Sequence, residues 1–193
     1  GFMRALIRVG LAGILGAMLS MRGEVDVSRD ARSTSGSAVG PASLPGAYIW
    51  IERSRLEALP TSGEAWDSLE KAAAKPIMPP DLSDQDDPTN VIVLAKALVY
   101  ARTGREAYRE TVTHACIMAM NSIDWQNGRA LALGKELMAY VLAADLVGLP
   151  AEEDRRFRAW LDEVRTRAFP SGKTLISTHR DRPNNWGAYA GAT

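Results

Sequence analysis

From Ile51 onward the apolar residues fall at steps of three and four, the spacing that lines one face of an α-helix. Ile51, Leu56 and Leu59 open the pattern, and Trp66 and Leu69 continue it after a break at Pro60, with Thr61 or Ser62 expected as the N-cap. Between Lys75 and Pro88 the period is lost; four prolines and the acids Asp81, Asp84, Asp86 and Asp87 mark a loop whose last acids are expected to cap the next helix. That helix carries Val91, Leu94, Ala95, Leu98 and Val99 on helical spacing and is expected to stop at Gly104. Further helices are predicted over Glu106–Ser122, Gly128–Val147 and Ala151–Phe169, the last begun by Pro150 and the acids Glu152, Glu153 and Asp154. No run alternates in the manner of a strand. Long helices joined by short turns predict an all-α protein of antiparallel helical hairpins, arranged as a bundle, solenoid or toroid.

The pattern fails before residue 47, and there composition matters more. Arg4 and Arg8 precede an apolar stretch from Val9 to Leu19, too short to cross a bilayer, which needs about 20 residues. This order predicts a signal peptide over residues 1–22 and a periplasmic or secreted protein, with Gly1 and Phe2 as additions ahead of Met3. Residues 23–46, rich in Ser, Gly, Ala and Arg, read as a flexible linker. The folded part is expected over 47–193. The last helix has no C-cap, so the natural protein is expected to continue past Thr193.

Charge excludes little but narrows the partner. Twenty-three basic residues balance twenty-three acidic ones, so nothing argues for a nucleic-acid groove, and an anionic ligand must be met by a local cluster. The single cysteine, Cys116, lies in an apolar run and reads as a buried structural thiol. His114 reads as a helix-face or core histidine, and Trp66, Trp125 and Trp160 read as core residues, although aromatic rings also line sugar grooves. The acidic loop lacks the glycine and distal glutamate of an EF-hand, so neither a metal nor a cofactor is expected.

Polar chemistry concentrates at the end of the chain: His179, Arg180, Asp181, Arg182, Pro183, Asn184, Asn185, Trp186 and Tyr189. His179 is expected in a polar loop, with Pro183 and the asparagines opening a new helix whose free amides suit an anion. Asn184 is either a substrate contact or the helix cap. Arg180 and Arg182 are candidates to clamp carboxylates, with pairing to Asp181 as the alternative, and Trp186 and Tyr189 are candidates to contact a sugar ring.

Asn184-Asn185-Trp186-Gly187 resembles the motif of the alginate-lyase-like polysaccharide lyases. Leu59-Pro60-Thr61-Ser62-Gly63 with Trp66, Ala101-Arg102-Thr103-Gly104 with Tyr108, Tyr140 with Ala143-Ala144-Asp145-Leu146, and Trp160-Leu161 extend the likeness from about Ile51 to the end. The resemblance implies an incomplete (α/α) toroid, truncated at its C-terminus and inactive alone. It also implies β-elimination on alginate or a related polyuronate, with Asn185 neutralising the C5 carboxylate. Some members have a catalytic histidine where this chain has Trp186, which implies a base elsewhere, and His179 is the candidate. A glycoside hydrolase on a similar toroid needs two carboxylates facing one groove, and no acid is placed for that. A non-catalytic helical scaffold binding a glycan or protein is the third class.

Overall fold

The computed structural model describes residues 48–192, and the predicted signal peptide and the whole of the predicted linker lie outside them. Among the described residues there are eight helices and no strand, so the protein is all-α. We number them α1 (Arg53–Ala58), α2 (Glu64–Ala73), α3 (Thr89–Thr103), α4 (Glu106–Ala119), α5 (Ala130–Val147), α6 (Ala151–Thr166), α7 (Leu175–Asp181) and α8 (Asn185–Ala192). None of the described helices is long and apolar enough to cross a membrane.

Two kinds of helix alternate along the chain. α3 and α5 are apolar around most of their circumference; α3 buries every residue from Thr89 through Val99 except Val91. A helix buried on all sides must sit between others, and α3 packs against α2, α4 and α5 while α5 packs against α3, α4 and α8. By contrast, α2, α4 and α6 are amphipathic. In α4 the buried residues Val112, Ala115, Cys116 and Ala119 form one stripe at helical spacing. The result is a central row of α3, α5 and α8, with α2 and α4 packed on it and α6 and α7 continuing the flanking set. Val93, Val99, Val112, Leu133, Leu137, Leu146 and Val147 form the fully buried core between them.

Cations from neighbouring helices satisfy helix ends that the sequence leaves bare. The buried Lys96 of α3 donates to the Ala73 carbonyl at the end of α2 (2.5 Å), and Arg109 of α4 donates to the Val147 and Gly148 carbonyls ending α5 (3.1 and 3.0 Å). Each pairing places a positive charge on the negative end of a helix dipole.

Several boundaries differ from expectation. α2 is capped by Gly63 at φ 92°, a conformation that favours glycine, so the cap falls one or two residues after the Thr61 and Ser62 expected. α4 ends at Ala119 and α6 at Thr166, each three residues early, because the following residues leave the helix: Ser122 bonds back to Ala119 and the Leu82 amide, and Phe169 pairs its backbone with Lys173 and Gly172. Asp87 accepts from both the amide (2.9 Å) and the hydroxyl (2.6 Å) of Thr89, fastening the start of α3. Asp81 and Asp84 accept from amides two residues on in the same loop, so these acids serve their own turns.

Candidate functional site

The candidate residues sit on α7, α8 and the turn between them. α7 is nucleated by a reciprocal capping box: the Thr174 hydroxyl accepts from the Ser177 amide (3.0 Å) and the Ser177 hydroxyl accepts from the Thr174 amide (2.9 Å). His179 therefore belongs to a helix and not to the polar loop expected. The Thr174–Ser177 spacing is the signal that was available in the sequence.

Asn184 caps α8: its side-chain oxygen accepts from the Trp186 amide (3.0 Å), and its backbone carbonyl accepts from Ala188 (3.0 Å). Asn185, the first residue of α8, is exposed, and its side-chain amide makes no hydrogen bond among the described residues. An ungrouped amide at a helix N-terminus has its donors available to a carboxylate.

α7 and α8 meet at two glycines. A Cβ on Gly187 would lie 1.9 Å from the Arg182 carbonyl oxygen, and one on Gly191 would lie 2.2 Å from Nδ1 of His179. The imidazole rests in this notch, with Nδ1 2.9 Å from the Gly187 carbonyl. A carbonyl only accepts, so Nδ1 donates in this contact and Nε2 is left to other partners.

On one side of α7 lies a pocket of about 280 Å³ whose lining includes Asn127, Arg129, Phe169, Lys173, Thr178, Arg182 and Trp186. None of its lining residues is acidic, and three are cationic. The Arg182 guanidinium lies 4.9 Å from the centre of the Trp186 ring, a contact that leaves its charge unneutralised. Arg129 has no ion-pair partner among the described residues and stands at the N-terminus of α5, where the helix dipole adds to its field. Lys173 is held 2.8 Å from Asp181.

The other predicted residues are arranged differently. His179 lines a separate pocket of about 400 Å³ with Leu137, Leu161, Leu175, Ile176 and Arg165, which shares no lining residue with the pocket of Arg182 and Trp186. Arg180 is exposed and spent on Asp181 (2.7 Å), as the alternative for it held. Tyr189 is partly exposed; its backbone packs on Gly134 of α5, where a Cβ would come within 2.9 Å of it, and it lines neither pocket. Arg129, Lys173 and Asn127 were not singled out in the sequence, since each sits in a turn of ordinary composition and only the fold gathers them.

Elsewhere, Cys116 is buried, and desolvation pushes its thiol up to about 12, leaving it unreactive at neutral pH. His114 is exposed on α4. Trp66, Trp125 and Trp160, expected in the core, pack against its margin and are half-buried.

Comparison of the chain with known protein families, with curated proteins and with solved structures gives no match.

Proposed function

We propose a polysaccharide-lyase function for this chain, in which alginate or a related polyuronate binds in the cationic pocket beside α7 and is cleaved by β-elimination. One observation carries the binding half: Arg129, Lys173 and Arg182 converge with Trp186 on a pocket that holds no acid. Its size of about 280 Å³ suits one sugar ring, the indole offers an apolar face to that ring, and the guanidiniums match a carboxylate. The motif at Asn184-Asn185-Trp186-Gly187 carries the reaction half.

In that reaction a base removes the C5 proton, the electron pair forms the C4–C5 double bond, and the C4–O bond breaks with proton transfer to the departing oxygen. Charge develops on the C5 carboxylate, and Asn185, Asn184 and the guanidiniums are the donors proposed to stabilise it. His179, with Nε2 available, is the candidate base. The alternating apolar and amphipathic helices favour an (α/α) toroid arrangement, with α3, α5 and α8 as its inner row.

A second reading is a glycan-binding scaffold without catalysis, and it is favoured by the separation of His179 from the pocket that holds Arg182 and Trp186. A hydrolase is disfavoured because no carboxylate lines the cationic pocket.

The test is incubation of the protein with alginate, glucuronan and related polyuronates, following absorbance near 232 nm from the unsaturated product. Asn185→Ala is expected to abolish that signal while keeping the helical fold. Full activity in the variant rejects the assignment; binding without any absorbance change selects the scaffold.

A further inference from the structure

Trp125 and Trp160 pack against the core at its margin and are only half-buried, so part of each ring is left to the surface. Trp125 and Trp160 line an open groove of about 470 Å³ together with Asn121, Arg156, Glu163 and Arg167. The Arg167 guanidinium lies 4.4 Å from the centre of the Trp125 ring and is held from the side by Glu163 (3.0 Å). Arg156, four residues before Trp160 on the same face of α6, is exposed and has no ion-pair partner among the described residues.

This groove adjoins the cationic pocket. The Trp125 ring is 5.4 Å from that of Phe169, tilted by 34°, and Phe169 lines the cationic pocket, as does Gln126, the residue after Trp125. The same motif thus occurs on both sides of Phe169: an indole with a guanidinium above it, Trp125 with Arg167 and Trp186 with Arg182. A guanidinium held against an indole is already immobilised, so binding an anion loses less side-chain entropy there.

We propose that the groove between the end of α4 and α6 is a second saccharide subsite, continuous with the cationic pocket, that takes further units of the same anionic oligosaccharide. Trp160 supplies the ring platform and Arg156 the carboxylate contact. The proposal rests on the polyuronate assignment of the pocket, and a length series separates the two.

Binding of size-defined di- and hexamannuronate is measured by titration calorimetry. The hexamer is expected to bind at least about tenfold tighter than the dimer. Arg156→Ala, at an exposed position, and Trp160→Ala are each expected to bring the hexamer close to dimer affinity while leaving the dimer unchanged. Arg182→Ala is expected to weaken both. If hexamer and dimer bind alike, or if the α6 variants weaken the dimer as much as the hexamer, the second subsite is wrong and the pocket assignment stands. If neither oligomer binds, the pocket assignment falls and the subsite with it.

Discussion

Glu136 on α5 and Asp181 on α7 each sit beside a lysine, and their carboxyls are pushed in opposite directions. The Glu136 side chain is 2% exposed, with the Lys135 ammonium 3.3 Å away but hydrogen-bonded to the Gln85 carbonyl, so neither carboxylate oxygen receives a hydrogen bond. Burial dominates: the carboxyl rises to about 7 despite Lys135, with Asp87 and Asp84 adding to the rise. The Asp181 side chain is 30% exposed and accepts from Arg180 Nε (2.7 Å) and Lys173 Nζ (2.8 Å), which hold it well below the usual carboxylate range. A neighbouring lysine is thus not enough to ionise a carboxyl. Hydrogen bonds directed at its oxygens, together with water, decide the outcome. The difference separates the two regions in kind, since α5 carries a burden on stability while α7 carries charge arranged for the surface.

The largest expected effect follows from Glu136. A carboxyl raised in the folded state favours folding below its unfolded value, near 4.5, and that contribution is lost as pH rises through about 7. Raising pH across this window is expected to cost on the order of 3 kcal/mol at this site. Glu136→Gln is expected to remove that dependence, so that it is more stable than the parent at pH 8 and the gap closes toward pH 5. Urea unfolding at both pH values measures it. Parallel pH profiles in the two proteins would show that Glu136 is hydrated and that the contrast with Asp181 is false.

Next in size is the joint that builds the terminal region. Gly187→Ala drives a methyl into the Arg182 carbonyl, a backbone atom that moves only if α8 moves, whereas Gly191→Ala meets the His179 ring, which can rotate away. The first is expected to cost about 1–3 kcal/mol and to displace Trp186 from the cationic pocket; the second is expected to cost less and to keep dimannuronate binding. Equal losses of stability and binding in the two variants would mean that the α7–α8 contact does not form the pocket.

These residues also show what sequence patterning could reveal. The long helices were legible because the apolar period is carried by many residues at once, as in Val91 through Val99. Short α7 was not, because seven residues offer barely two turns of period and its start depends on the reciprocal bonds of Thr174 and Ser177. The polar terminal segment could be named, with Arg182 and Trp186 meeting in one pocket, but the placement of His179 in another depends on which face of α7 each residue takes. Arg129 and Lys173 were invisible for a different reason: they are 44 residues apart and only packing brings them together. Glu136 was equally hidden, since a single acid in an apolar helix reads the same whether its oxygens are satisfied or not.

The smallest expected effect lies at Asp181, and its sign differs between stability and binding. An exposed ion pair contributes little to folding, so Asp181→Asn is expected to leave the unfolding midpoint at pH 7 unchanged within error. Any contribution it made would be present above the unfolded carboxylate value and lost only on strong acidification, the reverse of Glu136. Binding is another matter, because Lys173 lines the cationic pocket and Asp181 neutralises it there. Removing the carboxylate adds one uncompensated cation to a pocket without acids. Dimannuronate affinity is therefore expected to rise about threefold at low ionic strength, with the gain disappearing toward 0.5 M salt as screening shortens to a few ångströms. A weaker affinity in the variant would show instead that Asp181 positions Lys173 for the ligand, making the α7 pair part of the binding geometry and not a brake on its charge.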